Sequence, residues 1–425
     1  MNEKKRIGKT GEDIAAEYLE KLGYRITYRN YRSGHLETDI ICEDETHILF
    51  VEVKTRTDTA HRSGFASARG AVDEKKKTRL LKCAKEYIYK NKVLVLNQGN
   101  FTAQDASVYM YDEDEKVMVP NAYARANNNT KLGAVLMSGT FSNYGVGYLL
   151  CSNPDKIEVI NVVTLQTLTE PITTNLANTR EIALGNKYLY VTNAGEDFVT
   201  LPDGMYEYTN SYVSIFDQSN NSLVAQVEVG SDAQGVVFAD GYAYVGTKAG
   251  IVKISSGGSN FYAEEAYADE EYTGAVKYLC YYNNMIYASI PGYGIIEYDP
   301  SRGKTVKRYP MAESLNYDGY FTMDRFGYIY TFSTDWANSS SVVYKLDVNT
   351  GNKSQIKESD IISGIGISGY SGNIFTAETN GFMTNSTMYV NNAQNGTLVD
   401  TQIAGIGTFR YLSFSYLEED TSEEK

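Results

Sequence analysis

The chain has 425 residues, enough for two or three domains of ordinary size. Its charge is unevenly divided: residues 1–92 hold 20 Lys and Arg against 15 Asp and Glu, whereas residues 93–425 hold 19 against 38. A net charge of +5 followed by one of −19 indicates two folding units with different partners. The basic part suits a polyanion such as nucleic acid, which the acidic part would repel.

Cysteine and histidine are too sparse for a zinc site or a disulfide framework, because the four cysteines are scattered and form no close pair. No apolar run reaches the length of a membrane helix. The basic N-terminal residues are not followed by the apolar segment of a secretory signal. The sequence therefore predicts no transmembrane segment and a cytoplasmic location.

Residues 1–92 show the pattern of a small mixed fold. An N-cap at Thr10 and apolar residues at helical spacing (Ile14, Ala15, Tyr18, Leu19, Leu22) predict a first helix that ends at Gly23. Three strand-like runs follow, and then a Lys-rich helix with Leu80, Leu81, Ala84 and Ile88 on one side. The predicted order is α-β-β-β-α, with the strands at Tyr24–Tyr31, Leu36–Cys42 and His47–Thr55 and the second helix at Asp73–Tyr89.

Candidate catalytic residues concentrate on the second and third strands. Glu52 and Lys54 are two residues apart in a strand and so share a face, and an antiparallel neighbour can place Asp39 opposite them. Two carboxylates there can hold Mg²⁺ or Mn²⁺, and the ammonium can orient or deprotonate a water, as phosphodiester hydrolysis requires. Glu12 on the first helix can supply a third carboxylate. The alternative is an edge strand whose charges only face water.

Five segments resemble the YraN family, in the same order along residues 1–92: Gly11–Ala16, Gly23–Ile26, Arg29–Arg32, Phe50–Arg56 and Ala71–Asp73 before the Lys-rich helix. That family is similar to Holliday-junction resolvases and belongs to the PD-(D/E)xK nuclease superfamily, so the resemblance implies a restriction-endonuclease-like fold and a metal-dependent DNA endonuclease. By the same resemblance Glu12, Asp39, Glu52 and Lys54 match the motif positions, with Asp39 and Glu52 as metal ligands.

Two features of this segment depart from the family pattern. Leu36 stands where the family usually has Gly before the acidic motif, and the final strand with Arg-Phe-Asp is missing after the Lys-rich helix. The basic residues of that helix either form a solvated face or contact DNA phosphates. The candidates for DNA contact are Lys75, Lys76, Lys77 and Arg79.

Residues 93–425 carry an internal repeat typical of a β-propeller. A short strand ending in an Asp, Asn or Ser turn recurs seven times, at Asp112, Asn161, Asp217, Ser255, Asp299, Asp347 and Asn391. These turns are 38 to 56 residues apart. A period in the forties with four short strands in each unit predicts seven blades. The strand at Phe409–Phe414 should complete the first blade and close the ring. The predicted propeller spans residues 93–417, and residues 418–425 form an acidic, disordered tail.

This repeat resembles YVTN/YncE-type propellers of the secreted or cell-surface group, some of which bind cobalamin. The loops after the second and fourth strands of each blade share one face, and aromatic and amide side chains there suit a small organic ligand or a protein partner. The alternative is that they only cover the blades. The candidate ligand-binding residues are Asn175, Asn178, Phe198, Tyr206, Tyr208, Asp232, Tyr293, Asn316, Tyr317, Trp336 and Phe382.

Two functional interpretations stay open at this point. In the first, the chain is a DNA endonuclease with a non-catalytic propeller as its binding platform. In the second, it is a propeller binding protein that carries an inactive nuclease-like remnant. Because the relatives of the two parts work in different compartments and no linker separates them, the sequence also suggests a chimera.

Overall fold

The computed structural model divides the chain into two compact units, one up to Lys90 and one from Asn91 to Tyr416. The predicted acidic tail and Tyr317 lie outside the residues that the structure describes. Those residues are 3–33, 36–44, 47–54, 74–142, 145–202, 204, 206–257, 260–316 and 318–414. No helix in this described part is both long and apolar enough to cross a membrane.

The first unit has the predicted α-β-β-β-α order. Its three strands form one antiparallel sheet in the order β1-β2-β3, and α1 and α2 both contact it. The strand β3 is shorter than predicted and ends before Glu52. The elements are α1 (Glu3–Lys21), β1 (Arg25–Ser33), β2 (Leu36–Glu43), β3 (Ile48–Val51) and α2 (Glu74–Tyr89).

The prediction of which helix face is buried was wrong in part. Thr10 is inside α1 and so is not its N-cap, and Ala16 and Leu19 pack on Ile40 and Cys42 of β2. The side chains of Ile14, Tyr18 and Leu22 are more than half exposed, and so is that of Leu81 on α2, while Ile88 is 39% exposed. A three-stranded sheet covers only a narrow stripe of each helix, so apolar periodicity alone gave too wide a buried face.

The second unit is built from β-strands and one short helix. The helix α3 is Ala122–Ala126. The strands are β4 (Lys92–Asn97), β5 (Ser107–Asp112), β6 (Val117–Val119), β7 (Val135–Phe141), β8 (Val146–Ser152), β9 (Lys156–Asn161), β10 (Thr179–Leu184), β11 (Tyr188–Asn193), β12 (Phe198–Thr200), β13 (Tyr206–Tyr208), β14 (Ser211–Asp217), β15 (Leu223–Gly230), β16 (Val236–Ala239), β17 (Tyr242–Thr247), β18 (Gly250–Gly257), β19 (Asn260–Ala263), β20 (Tyr278–Tyr282), β21 (Met285–Ile290), β22 (Gly294–Asp299), β23 (Lys304–Pro310), β24 (Thr322–Met323), β25 (Tyr328–Asp335), β26 (Ser340–Asp347), β27 (Lys353–Ser359), β28 (Ile362–Ile367), β29 (Asn373–Glu378), β30 (Asn385–Asn392), β31 (Leu398–Ile406) and β32 (Thr408–Ser413).

These strands form successive antiparallel sheets. A separate two-stranded hairpin, β12–β13, lies in the connection between β11 and β14 of one sheet. The sheets of the described residues are β7-β8-β9, β10-β11-β14-β15, β16-β17-β18-β19, β20-β21-β22-β23, β24-β25-β26-β27, β28-β29-β30-β31 and β32-β4-β5-β6. In the last of these, Ser413 pairs with Val93 and Thr408 with Asn97, so strands from opposite ends of the unit are hydrogen-bonded neighbours. First strands of neighbouring sheets contact one another, as β7 does β10 and β28 does β32.

The core of the second unit lies between neighbouring sheets. Val213 and Ile215 of β14, for example, pack with Ala243 and Val245 of β17 in the next sheet. Each sheet therefore buries both faces against its neighbours, which explains strands that are apolar nearly throughout. Among the first strands of the sheets, β10 and β32 carry charged residues.

Candidate functional site

The acidic residues of the first unit meet where β2 and β3 end. Ile40 pairs with Val51, so the next position of this antiparallel register brings Asp39 beside Glu52. The backbone N–H of Val53 donates a hydrogen bond of 2.6 Å to Oδ2 of Asp39, which fixes the chain after β3 against that carboxylate. The predicted juxtaposition of Asp39 and Glu52 thus arises just beyond the end of the strand.

Glu52 is held between two lysines. Its carboxylate is almost buried, with 7% of the side chain exposed. It forms ion pairs with Nζ of Lys54, at 3.2 Å, and with Nζ of Lys76. Lys54 follows Glu52 by two residues, whereas Lys76 reaches it from the first turns of α2. A buried carboxylate needs such partners because an unpaired charge away from water is strongly destabilising.

Lys76 is the residue of this cluster that the sequence interpretation placed elsewhere. Its neighbours Lys75, Lys77 and Arg79 are exposed, as a DNA-contacting face requires, but Lys76 is turned to the sheet and pairs with Glu52. It precedes Leu80, buried Cys83 and Tyr87 at helical spacing, which is the stripe of α2 that faces the sheet. That spacing was the available signal for its position.

The electrostatics of the cluster centre on Asp39. Burial raises the pKa of its carboxyl, and the negative charges of Glu52 and Glu12 raise it further, while the Val53 hydrogen bond and Lys76 act to lower it. Glu12 itself accepts a hydrogen bond of 3.2 Å from Nδ2 of Asn30. The charges of Glu52 and Glu12 thus both disfavour ionisation of Asp39, and a cation bound beside Asp39 would offset this effect.

The donor set fits a hard divalent cation held by few protein ligands. Among the described residues no group of three or more His, Cys, Asp or Glu side chains is arranged to hold a metal ion. The close carboxylates are Asp39 and Glu52, and Mg²⁺ commonly binds one or two carboxylates and completes its shell with water and substrate phosphate. Glu12 is close enough to affect Asp39 electrostatically but is not part of such a group.

Except for Tyr317, which the structure does not describe, the predicted ligand-binding residues of the second unit lie in connections between the strands of the sheets, three of them in the β12–β13 hairpin. Phe198, Tyr206 and Trp336 are 51%, 61% and 69% exposed, and Phe198 and Tyr206 contact each other edge to face in the β12–β13 hairpin. Tyr293 is less exposed, and its hydroxyl hydrogen-bonds Oγ1 of Thr273 at 3.0 Å. None of these aromatic rings lines either of the two cavities described below.

The predicted amide residues are mainly structural. Asn175 and Asn178 adopt left-handed backbone conformations, and their side chains donate to Oε1 of Gln226 and to the carbonyl of Gly195. Oδ1 of Asn316 accepts a hydrogen bond from the backbone N–H of Tyr320. Phe382, a predicted aromatic residue, accepts a hydrogen bond at its backbone carbonyl from Nδ2 of Asn100. These groups shape the loops at this end of the sheets.

A charged cluster lies in and just before the first strands, and of its residues the sequence interpretation had selected only Asp232. Nη2 of Arg410 contacts Oε2 of Glu181 at 2.6 Å, Nη1 of Arg410 donates to Oε1 of Glu181 at 2.8 Å, and Nζ of Lys277 pairs with Asp232 at 2.7 Å. The carboxylate of Asp318 interacts with Lys277, Arg410 and Arg180. We call these residues the first-strand cluster: Arg180, Glu181, Asp232, Lys277, Asp318 and Arg410. Opposite charges at equivalent places in two otherwise apolar strands, Glu181 in β10 and Arg410 in β32, were the available signal.

Tyrosine rings surround this cluster. The guanidinium of Arg410 lies 4.8 Å from the ring of Tyr320, which contacts the ring of Tyr278 at 4.7 Å. The guanidinium of Arg180 lies 5.3 Å from the ring of Tyr208, so two of the predicted residues, Tyr208 and Asp232, do adjoin one site. Burial raises the pKa values of Tyr278 and Tyr320, which keeps both hydroxyls protonated.

Two cavities open at the same end of the sheets. The larger, of about 200 Å³, lies between the β4–β5 loop, α3 and the β31–β32 junction and is lined by Tyr109, Asn121, Lys131 and Asn385 among others. The smaller, of about 80 Å³, lies beside the β17–β18 turn. Polar surface predominates in the lining of the larger cavity and apolar surface in that of the smaller.

The fold of the second unit is propeller-like. It is similar to the crystal structure of a 6-phosphogluconolactonase candidate from Bacteroides uniformis, with a TM-score of 0.54 at 12% identity over 76% of this chain and 99% of that one. A second candidate of the same description from Bacteroides fragilis gives a TM-score of 0.52 at 13% identity, covering 76% of this chain and 97% of the other. At such identities the likeness is one of fold.

The first segment identifies the family. The model of the uncharacterised protein family UPF0102 matches residues 11–106. A UPF0102 protein of Bacteroides thetaiotaomicron is 43% identical over 88 residues, which cover 21% of this chain and 69% of the relative. A UPF0102 protein of Chloroherpeton thalassium is 37% identical over 116 residues, which cover 27% of this chain and 84% of the relative. The chain therefore belongs to the UPF0102 family, the family that the YraN-like motifs indicated. The match continues past Lys90 into β4 of the second unit.

Proposed function

We propose that the first unit is a divalent-metal-dependent DNA endonuclease, with branched DNA as a substrate to be tested first. The observation that carries this proposal is the cluster of Asp39, Glu52, Lys54 and Lys76, in which two adjoining carboxylates are bordered by two ammonium groups. Phosphodiester hydrolysis needs such a combination, because negative charge develops on the phosphate oxygens while a water attacks.

The residues of the cluster would divide the work as follows. Asp39 and Glu52 would hold Mg²⁺ or Mn²⁺, which when bound supplies a Lewis acid and lowers the pKa of a coordinated water. Lys54, with 41% of its side chain exposed beside Glu52, would orient or deprotonate the attacking water. Lys76 is less exposed and holds the Glu52 carboxylate in place. Exposed Lys75, Lys77 and Arg79 would contact the DNA phosphates.

Cleavage of labelled four-way-junction and linear DNA by the full chain in Mg²⁺ or Mn²⁺ tests this proposal. Asp39→Asn and Glu52→Gln should each reduce the rate at least about a hundredfold, as expected for loss of a metal ligand. Glu17→Gln, an exposed acid on α1, is the matched control and should leave the rate unchanged. A folded chain that cuts neither DNA, or that cuts it equally well in both variants, would refute the assignment.

We infer that the second unit is a seven-bladed propeller closed by the pairing of β32 with β4, and that it serves as a non-catalytic binding platform. The first-strand contacts and the seven successive sheets support the closed ring. The first-strand cluster and the two cavities at one end support binding of a small polar molecule there. Such a platform is also the basis of the second interpretation, a binding protein with an inactive nuclease-like remnant.

The two interpretations predict different results for the full chain in one experiment. An accessory platform should change the Kd for DNA or the cleavage rate when its ligand is bound. A binding protein with a remnant should bind its ligand while the full chain shows no metal-dependent cleavage. Measuring cleavage with and without a ligand found by thermal shift therefore separates them.

A further inference from the structure

Two ammonium groups share one oxygen of the Glu52 carboxylate. Nζ of Lys54 lies 3.2 Å from Oε1 of Glu52, and Nζ of Lys76 forms an ion pair with the same oxygen. Only 7% of the Glu52 side chain is exposed, so the two lysines replace most of the hydration of this carboxylate. The single negative charge of Glu52 is therefore met by two positive charges, one from the chain just after β3 and one from α2.

Lys76 also lies beside the other carboxylate of the site. Asp39 is tied to the same place, because its Oδ2 accepts the N–H of Val53, the residue after Glu52, at 2.6 Å. Burial acts to lower the pKa of Lys76, but its hydrogen bond to Glu52 and the charges of Glu52 and Asp39 outweigh burial and raise the pKa. Lys76 is thus a charged ammonium next to the two residues that we propose as metal ligands.

A divalent cation cannot join this arrangement unchanged. Bound by Asp39 and Glu52, it would bring two further positive charges to a carboxylate that already contacts two ammonium groups. Like charges a few ångströms apart repel strongly where little water is present to screen them. One of the two ammonium groups therefore has to leave the Glu52 carboxylate when the cation binds.

Lys76 is the ammonium group that can leave. It extends from the first turn of α2, 35% of its side chain is exposed, and its neighbours Lys75 and Lys77 are exposed as well. Rotation about the bonds of its four-carbon stem can carry the ammonium into water while α2 stays in place. Lys54, in contrast, is only two residues from Glu52 in the chain and remains close to the carboxylate.

We propose that Lys76 is a resident counter-cation of the metal site, which neutralises Glu52 in the metal-free protein and is displaced from it by a divalent cation. This rests on the proposed function of the first unit as a metal-dependent nuclease and identifies a residue that sets the affinity of its metal site. Lys76 is a positioning residue, because it acts through Glu52.

Mn²⁺ binding to the full chain, measured by titration calorimetry, tests the displacement. Lys76→Met removes the competing charge and should bind Mn²⁺ at least about tenfold more tightly than the unchanged chain, since a charge-assisted contact no longer has to break. Lys76→Arg keeps the charge, and Lys21→Met removes an exposed charge on α1, so neither should tighten binding.

The acidic second unit offers other carboxylates to Mn²⁺, so the background has to be measured. Binding that persists in a double variant with Asp39→Asn and Glu52→Gln belongs to these other carboxylates and is subtracted. Unchanged or weaker site binding by Lys76→Met would overturn the counter-cation role and leave the metal site intact. If no protein shows binding that depends on Asp39 and Glu52, the proposed metal site fails as well.

Unfolding without metal, followed by scanning calorimetry, supplies a second measurement. Lys76→Met should lower the melting temperature more than Lys21→Met does, and Mn²⁺ should restore it, because the cation replaces the lost counter-charge of Glu52. In a Glu52→Gln background Lys76→Met should cause no further loss. Equal losses with and without the Glu52 charge would refute the pairing. If Lys76→Met does not fold, Lys76→Gln, which can still donate a hydrogen bond, takes its place in both measurements.

Discussion

The guanidinium of Arg410 is joined to the carboxylate of Glu181 by two contacts of 2.6 and 2.8 Å. The two residues are 229 positions apart in the chain, and Nη1 of Arg410 also donates to Oγ of Ser138 at 2.7 Å. Three sheets, containing β7, β10 and β32, are therefore tied together by one hydrogen-bonded group. Burial acts to lower the pKa of Arg410, but the Glu181 charge outweighs it and the guanidinium stays protonated.

Removal of one partner from this pair should be strongly destabilising. We expect Glu181→Gln to lower the free energy of unfolding by about 3 kcal/mol, because it leaves a buried guanidinium without its counter-charge. The double variant Glu181→Leu with Arg410→Met should be less destabilised than the sum of its single variants. Urea denaturation of the unchanged chain, Glu181→Gln, Glu181→Leu, Arg410→Met and the double variant measures both effects. Additive losses would show that the pair does not act as a unit.

The raised pKa of Asp39 predicts a pH-dependent strain in the first unit. The pKa of this carboxyl is near 3.9 in the unfolded chain and higher in the folded chain. Ionisation of the carboxyl therefore destabilises the folded state progressively as pH rises from the unfolded pKa to the folded pKa. Asp39→Asn keeps an acceptor for the Val53 N–H and removes the charge, so it should stabilise the unit at pH 7 and have little effect at pH 3.

Thermal unfolding at both pH values measures this effect. Mg²⁺ at pH 7 should raise the melting temperature of the unchanged chain more than that of Asp39→Asn, because bound cation stabilises the folded state by mass action. Glu17→Gln serves as the control for loss of one surface carboxylate. Stabilisation by Asp39→Asn that is equal at the two pH values would contradict the prediction.

Asp269, in the loop before β20, has a lowered pKa where Asp39 has a raised one, and its ionised carboxylate stabilises this loop. Burial acts to raise the pKa of Asp269, but hydrogen bonds from Nε of Arg308 at 2.9 Å and from backbone N–H groups outweigh it and lower the pKa to about 2. The stability that this group contributes is therefore complete above the unfolded value near 3.9 and is lost as pH falls through about 2.

Substitution of Asp269 should remove that contribution. Asp269→Asn is expected to lower the free energy of unfolding at pH 7 by about 3 kcal/mol, since it leaves Arg308 without its buried partner. The difference from the unchanged chain should shrink below pH 3. Glu270→Gln, next to it in the exposed part of the loop, is the control. A difference that stays constant down to pH 2 would show that the charge of Asp269 is not its cause.

The single tryptophan provides an optical check of the candidate binding end. Trp336 is 69% exposed in the turn between β25 and β26. Its emission in the full chain should resemble that of free tryptophan in water and be quenched readily by iodide. A large partner that covers the loops should shift this emission to shorter wavelength. A blue-shifted emission in the chain alone would contradict the exposure.

Much of the first unit could be predicted because its signals are local. Helical and strand periodicity and turn residues produced the right order of elements, and the spacing of Glu52 from Lys54 placed both beside Asp39. The position of Lys76 could not be obtained in the same way. Its charge suggested a solvent-facing residue, and only the packing of α2 on the sheet brings it to Glu52.

The sequence by itself determined the division into two units, the repeat of the second and the acidic pair of the first, because composition, periodicity and two-residue spacing are properties of neighbouring positions. Tertiary structure decided which charges meet. Arg410 and Glu181 come together only because β32 and β10, first strands of separate sheets, converge. Residues so far apart in the sequence cannot be paired from local patterns, since each one shows locally only as a single charged residue.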